Sequence, residues 1–136
     1  MITSVDTSVI LDVLVSDPQF GSLSETALRK AQAEGKLVVC ECVVAEIFPA
    51  LDEIECFKEF LSDWHLEFSP MDFESAMLAG QFFSAYLSRG ARIKRIVPDF
   101  LIGAHAAQSA DRLLARDRGY LRDYFLSLEI WDPTQA

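Results

Sequence analysis

The chain has 136 residues, of which 51% are hydrophobic, and a formal net charge of −9 at pH 7. This length suits one domain spanning residues 1–136, the hydrophobic content excludes a disordered chain, and the negative charge argues against a protein that coats nucleic acid nonspecifically. No apolar run reaches the ~18 residues of a membrane span, and the N-terminus lacks a basic region followed by a long apolar stretch. We therefore expect a cytoplasmic protein that does not enter a membrane.

Strands and helices alternate along the first half of the chain. The strands are predicted at 2–5, 36–42 and 66–70, and the helices at 8–14, 24–35, 43–51 and 52–64. Ser24 and Gly35 are typical start and stop residues for the second helix. Pro49 is expected to break or kink the third helix, because proline removes a backbone donor and clashes with the preceding turn.

The second half continues the same alternation. It contains predicted helices at 73–90 and 99–110, a basic loop at 91–97, and strands at 111–115 and 126–131. Strands separated by helices favour parallel pairing with right-handed crossovers, and such crossovers place helices on both faces of a sheet. We therefore predict a three-layer α/β/α sandwich around a central, mainly parallel five-stranded sheet.

The cysteines and one histidine have structural interpretations. Cys40, Cys42 and Cys56 form no even disulfide framework. Cys40 and Cys42 are expected to share one face of the predicted strand as buried free thiols, since no further cysteine pair or paired histidine completes a metal site. His105 has a pKa suited to a general base, but it lies nearly two helical turns beyond Asp99, and a structural role is favoured.

Four acidic residues fall where predicted strands end or the following helices begin. Asp6 follows the first strand, Glu46 lies one turn past the second, Asp117 follows the fourth, and Asp99 begins a helix. Each acid has a simpler interpretation as a helix cap, a favourable charge at a helix N-terminus, or a turn residue. Their shared position favours convergence at one sheet edge, where parallel α/β folds bind ligands. Glu46 stands out because its sequence neighbours are apolar.

A carboxylate cluster has a definite chemistry. Mutual repulsion raises the pKa of clustered acids unless protons or cations neutralise them. Mg²⁺ and Mn²⁺ prefer such hard oxygen ligands, and these ions can activate water for attack on a phosphodiester. Acids that converge at the sheet edge would therefore suit a metal ion that acts on a phosphodiester.

Four segments carry a resemblance that spans nearly the whole chain. They are "VDTSVILD" (5–12), "VVAEI" (43–47), "PDFLIGAHA" (98–106) and "LLARDRGYLRDYF" (113–125). In order and spacing they resemble the motifs of PIN-domain proteins, and closely those of VapC-type toxins from bacterial toxin–antitoxin pairs. The resemblance implies a PIN-like domain, a metal-dependent endoribonuclease that hydrolyses RNA, and a homodimer neutralised by a cognate antitoxin. It places the family's catalytic and Mg²⁺- or Mn²⁺-binding acids on Asp6, Glu46, Asp99 and Asp117.

Other residues could support that site. The family's small hydroxyl residue near the first acid falls on Ser8, whereas its usual Thr or Ser two positions before the fourth acid is Ala115 here. Arg116 could approach RNA or balance the acids. The basic cluster before the third acid is either a solvated loop or an RNA-binding rim; it comprises Arg89, Arg92, Lys94 and Arg95.

Several rival classes lack a required feature. No lysine follows a late strand, as a phospho-receiver domain would need, and no glycine-rich phosphate loop is present. A haloacid-dehalogenase-like phosphatase would need a second aspartate where the chain has Ser8. The remaining alternative is a non-catalytic PIN-like domain that binds RNA or protein, which the alanine at position 115 leaves open.

Overall fold

A computed structural model describes residues 1–90, 97–116 and 120–135. Its five strands are β1 (Ile2–Val5), β2 (Lys36–Val39), β3 (Leu66–Phe68), β4 (Arg112–Leu114) and β5 (Glu129–Trp131). The helices of the described residues are α1 (Thr7–Leu14), α2 (Gly21–Glu34), α3 (Glu41–Leu51), α4 (Ile54–Asp63), α5 (Phe73–Ser88), α6 (Val97–Ser109) and α7 (Tyr120–Tyr124). The predicted alternation of strands and helices is confirmed.

The sheet is parallel throughout, with the strand order β3-β2-β1-β4-β5. The chain moves outward from β1 to β3 and then returns to β4 on the other side of β1. Because crossovers between parallel strands are right-handed, this reversal puts the two sets of helices on opposite faces. The strand order reverses between β1 and β4, where Val5 pairs with Leu114. Ligands of such sheets bind beyond the carboxyl ends of the strands at this reversal.

The core lies between the sheet and the helices on each face. Strands β1, β2 and β4 supply fully buried aliphatic side chains, as expected for parallel strands covered on both faces. On one side an aromatic cluster joins α5, α6 and α7. Phe100 packs edge-on against Tyr124 with ring centroids 5.2 Å apart, and Phe82 packs against Phe125 at 4.7 Å. This cluster fixes α6, which carries Asp99, against its neighbours.

Helix α2 begins at Gly21, so the predicted start at Ser24 is wrong. One carboxylate oxygen of Asp17 accepts hydrogen bonds from the backbone amides of Gln19 and Phe20, at 2.9 and 2.8 Å. This turn starts the helix earlier than the sequence pattern suggests. Ser24 is fully buried inside the helix, where its hydroxyl donates to Asp12 instead of capping.

Strand β2 ends at Val39, so the prediction that Cys40 and Cys42 share a strand face is wrong. Cys40 has extended backbone geometry and precedes α3, and Cys42 lies in the first turn of that helix. Both thiols are free; Cys40 is buried and Cys42 is half-buried. A hydrogen bond with the Cys42 thiol lowers the pKa of Cys40 to about 7.

Three further features differ from the sequence predictions. Helix α3 continues through Pro49 to Leu51, so the proline does not break it. The short helix α7 was not anticipated. The amphipathic spacing of Ile54 and Phe57 predicts that both lie on the buried face of the helix at 52–64, but Ile54 is 60% exposed and Phe57 alone of the two is buried. Within the described residues, no helix combines the length and the apolar character that crossing a membrane requires.

Candidate active site

Asp6 lies at the carboxyl end of β1 and caps α1. Its backbone amide donates to the Leu114 carbonyl at 2.9 Å, which ties it to the end of β4. Its Oδ2 atom accepts hydrogen bonds from the backbone amide of Ser8 at 3.0 Å and from the Ser8 hydroxyl at 2.5 Å. Asp6 is therefore a helix cap and also a carboxylate at the strand-order reversal.

The Asp6 carboxylate is only 8% exposed. Burial raises its pKa above the ordinary aspartate value, and the hydrogen bonds from Ser8 and the more distant charge of Arg116 offset this only in part. The sequence predicted that at least one of the four acids would have a raised pKa because the acids repel one another. The raised pKa is confirmed for Asp6, but its main cause is burial.

Glu46 is hydrogen-bonded to Thr7, the residue that follows Asp6 in the chain. The Thr7 hydroxyl donates to Glu46 Oε1 at 2.7 Å, which links the start of α1 to α3. Glu46 is exposed, because α3 turns Val43 and Ile47 toward the core. Its apolar neighbours in sequence therefore do not bury it, and the argument from desolvation does not apply. Sequence reasoning had not assigned Thr7 any role.

Asp99 occupies the first turn of α6 and is half-buried. The helix begins two residues before its predicted start, with proline in its first turn, where a missing amide donor costs least. Helix α3 packs against both α1 and α6, and α6 also packs against β1. The elements that carry Asp6, Glu46 and Asp99 are therefore mutual neighbours.

The fourth predicted acid, Asp117, lies outside the described residues, as do Arg92, Lys94 and Arg95. Of the predicted basic rim, Arg89 is described: it is exposed, and its guanidinium carbon lies 5.1 Å from the centroid of the Tyr124 ring. Among residues 1–90, 97–116 and 120–135, no three His, Cys, Asp or Glu side chains lie close enough together to hold a metal ion.

Ser8 and Arg116 are joined at the same edge. The backbone amide of Arg116 donates to the Ser8 hydroxyl oxygen at 3.3 Å. The Arg116 side chain turns to Asp12: Nε donates to Oδ2 at 2.8 Å and Nη2 to Oδ1 at 3.0 Å. Sequence reasoning did not single out Asp12, which is 3% exposed, because its partner lies 104 positions away in the chain. The Arg116 side chain is thus paired with Asp12, an acid outside the predicted four.

Two further residues considered in the sequence analysis, His105 and Ala115, are both buried. His105 is fully buried, and its Nε2 lies 3.2 Å from the Ser69 hydroxyl. Burial lowers the pKa of His105. Ala115 is also fully buried, and its backbone amide donates to the Trp131 carbonyl at 3.0 Å. Neither side chain reaches the Asp6 carboxylate through a hydrogen bond.

Open parallel α/β sheets bind ligands at the reversal point of the strand order, and Asp6 lies at that point in this chain. Residues 4–125 match the family model of the PIN domain. The chain belongs to the PIN domain family. No curated protein matches it.

Solved structures share the fold at low sequence identity. The chain is similar to one in VapBC2 from Rickettsia felis bound to a promoter DNA fragment, with 22% identity, a TM-score of 0.71, and coverage of 97% of this chain and 100% of that one. For FitAcB from Neisseria gonorrhoeae the identity is 21%, the TM-score 0.70, and both chains are fully covered. For VapBC-1 from nontypeable Haemophilus influenzae the identity is 16% and the TM-score 0.72, with coverage of 99% of this chain and 100% of that one. These likenesses establish the fold.

Proposed function

We propose that this protein is a metal-dependent endoribonuclease that hydrolyses RNA phosphodiester bonds. The observation that carries the proposal is the buried Asp6 carboxylate, with its raised pKa, at the strand-order reversal of a PIN-domain chain. A carboxylate in that position is costly to ionise unless a cation neutralises it. The proposed catalytic acids are Asp6, Glu46, Asp99 and Asp117.

The donor set suits Mg²⁺ or Mn²⁺, because carboxylate oxygens are the hard ligands that these ions prefer. Asp6, Glu46 and Asp99 come from neighbouring elements, and Asp117 directly follows Arg116 in sequence. Asp6, Glu46 and Asp99 do not by themselves form a metal site in this structure, and we propose that the four acids together would hold the ion. When bound, such an ion supplies positive charge that acidifies water and stabilises the negative charge developing on a phosphodiester.

The protein's own residues orient the acids. Ser8 holds one oxygen of Asp6 through two hydrogen bonds, and Thr7 holds one oxygen of Glu46. Fixed carboxylates need little reorganisation when charge develops beside them. The exposed guanidinium of Arg89, together with Arg92, Lys94 and Arg95, is proposed to contact RNA phosphates beside the acids.

We propose further that the protein acts as a cytoplasmic toxin neutralised by an antitoxin and that it forms a homodimer. The solved neighbours include a toxin–antitoxin complex from Klebsiella pneumoniae. Phe73 is 72% exposed and Met77 is 49% exposed, one turn apart on α5. Exposed apolar side chains at this spacing suit a helix-mediated contact. Size-exclusion chromatography with light scattering tests the dimer, and relief of growth arrest by a co-expressed neighbouring gene tests the antitoxin.

RNA cleavage with and without Mn²⁺ tests the activity. The wild type should cut a mixed RNA substrate with Mn²⁺ and lose this activity in EDTA. Asp6→Asn and Asp99→Asn should abolish cutting, because each removes an anionic ligand while retaining nearly the same shape.

Asp72→Asn is the matched control. Asp72 caps α5 by accepting from the Ser75 amide at 2.8 Å, as Asp6 caps α1. Asparagine caps helices about as well as aspartate, so both variants keep their caps and lose one charge. Cutting by folded Asp6→Asn at the wild-type rate would overturn the assignment. A wild type that binds RNA but never cuts it would favour the non-catalytic alternative.

A further inference from the structure

The guanidinium group of Arg116 is held by a carboxylate and by an aromatic ring. Its guanidinium forms two parallel hydrogen bonds with the Asp12 carboxylate, at 2.8 and 3.0 Å, and lies 4.3 Å from the centroid of the Phe20 ring. Asp12 Oδ2 also accepts the Ser24 hydroxyl at 2.7 Å. This paired geometry is available to arginine and not to lysine. The charge of Arg116 is therefore committed to Asp12.

The backbone of Arg116 is joined to Asp6 through a chain of hydrogen bonds whose direction is fixed. A backbone N–H can only donate, so the Ser8 oxygen accepts from Arg116 at 3.3 Å. The single hydroxyl proton of Ser8 is then free for Asp6 Oδ2, 2.5 Å away. An ionised carboxylate can only accept, so both partners of Ser8 enforce the same orientation of its hydroxyl.

Arg116 lies just beyond the hydrogen bonds of the sheet. The Ala115 amide still donates to the Trp131 carbonyl, whereas the next amide, that of Arg116, donates to the Ser8 side chain. The position of the Arg116 amide therefore depends on the contacts that hold residue 116. The guanidinium of Arg116 is anchored to Asp12 on α1, and Asp12 is in turn bonded to Ser24 on α2.

We infer that Arg116, clamped by Asp12, is a positioning residue for Asp6: it holds the end of β4 against Ser8 and thereby fixes the orientation of the Asp6 carboxylate. The inference rests on the proposed function, because it assigns Asp6 to metal binding. Partners that orient metal ligands typically change metal affinity by about 10- to 100-fold when they are removed.

Arg112 offers a matched control on the same strand. Its Nε donates to the Thr3 hydroxyl at 2.8 Å, its Nη2 donates to Glu34 at 2.7 Å, and its guanidinium carbon lies 4.7 Å from the centroid of the Trp131 ring. Both guanidinium groups thus combine a carboxylate partner with an aromatic ring. Arg112 lies at the amino end of β4, and none of its hydrogen bonds leads to Asp6 or Ser8. A purely structural role would make the two arginines equivalent.

The test measures Mn²⁺ affinity by titration calorimetry, and metal-free stability by thermal melts in EDTA, for the wild type, Arg116→Lys, Asp12→Asn and Arg112→Lys. Arg116→Lys and Asp12→Asn should weaken Mn²⁺ binding by about tenfold. Arg112→Lys should lower the melting temperature but leave the Mn²⁺ affinity unchanged. In a Ser8→Ala background, Arg116→Lys should cause no further loss of affinity, because the two residues act in series.

Three results would overturn the inference. If the wild type binds Mn²⁺ and Arg116→Lys binds it equally well, Arg116 has no positioning role, and the proposed nuclease is unaffected. If Arg116→Lys weakens binding by the same factor with and without the Ser8 hydroxyl, the route through Ser8 is wrong. A wild type that binds no Mn²⁺ would overturn this inference and the proposed function together.

Discussion

Replacing Asp6 with asparagine should stabilise the metal-free protein at neutral pH and abolish most of its response to Mn²⁺. Most substitutions of buried residues destabilise a protein, so the expected sign is unusual. Asparagine can still cap α1, but it carries no charge to desolvate. The native carboxylate is 8% exposed and burial raises its pKa, so at neutral pH the folded state bears the cost of an ionised buried group.

The pH window follows from the direction of the pKa shift. Because the pKa of Asp6 is higher in the folded state than in the unfolded state, the folded state binds more protons between the two values. The contribution of Asp6 to stability therefore falls as pH rises from its ordinary value of about 3.9 through the raised folded-state value. The stabilisation by Asp6→Asn should be absent at low pH and complete above this window.

The size of the Mn²⁺ response follows from linkage. An ion at tenfold excess over its dissociation constant stabilises the folded state by RT ln 11, about 1.4 kcal/mol, if it does not bind the unfolded chain. With an unfolding entropy of about 2.1 cal/mol/K per residue, 136 residues give about 0.29 kcal/mol per kelvin. The melting temperature of the wild type should therefore rise by about 5 °C.

Thermal melts of the wild type, Asp6→Asn and Asp72→Asn in EDTA and in Mn²⁺ measure all of these effects. Asp72→Asn is informative because the Ser75 amide lowers the pKa of Asp72, so its loss of charge should destabilise the metal-free protein instead. Its Mn²⁺ shift should equal that of the wild type. Equal shifts in the wild type and Asp6→Asn would refute the reasoning and reduce Asp6 to a helix cap.

Three further outcomes are expected. Thr7→Val removes the hydroxyl that holds Glu46 and should reduce RNA cleavage while changing stability by no more than about 1 kcal/mol, measured by urea unfolding. Gly103→Ala should destabilise the folded protein by about 1–3 kcal/mol, since a Cβ at this position would lie 2.5 Å from the Phe125 ring. Gly80→Ala, where the added Cβ would meet open space, should be neutral or stabilising. Burial lowers the pKa of His105, so the stability of the wild type should fall as pH drops below about 6.5. The fall should be less steep in His105→Gln. Urea unfolding at several pH values measures both, with a substitution of the exposed histidine, His65→Gln, as the control.

The fold could be predicted because its signals are local and repeated. Buried aliphatic runs such as Leu37–Val39 identify central parallel strands, and acids at strand ends identify the ligand-binding edge. Boundaries were predicted less well. The start of α2 depends on a turn at Asp17, and the end of β2 depends on where α3 begins, at Glu41.

The contacts around the candidate site could not be read from sequence. Thr7 meets Glu46 across 39 positions, and Arg116 meets Asp12 across 104. No periodicity encodes such pairs, since they arise only when the sheet brings β1 beside β4 and α3 beside α1. The apolar sequence neighbours of Glu46 also misled, because helical geometry buries Val43 and Ile47 while it exposes Glu46.

The two interpretations of Asp6, helix cap and site residue, are compatible, and the structure explains why capping alone is insufficient. A cap needs an oxygen acceptor, which serine or asparagine supplies without a buried charge. Aspartate adds a negative charge at a buried position, and the guanidinium of Arg116 is already paired with Asp12. Burial accordingly outweighs the charge of Arg116 and raises the pKa of Asp6. A cation from solution would favour the ionised carboxylate, and the Mg²⁺ or Mn²⁺ of the proposed function is such a cation.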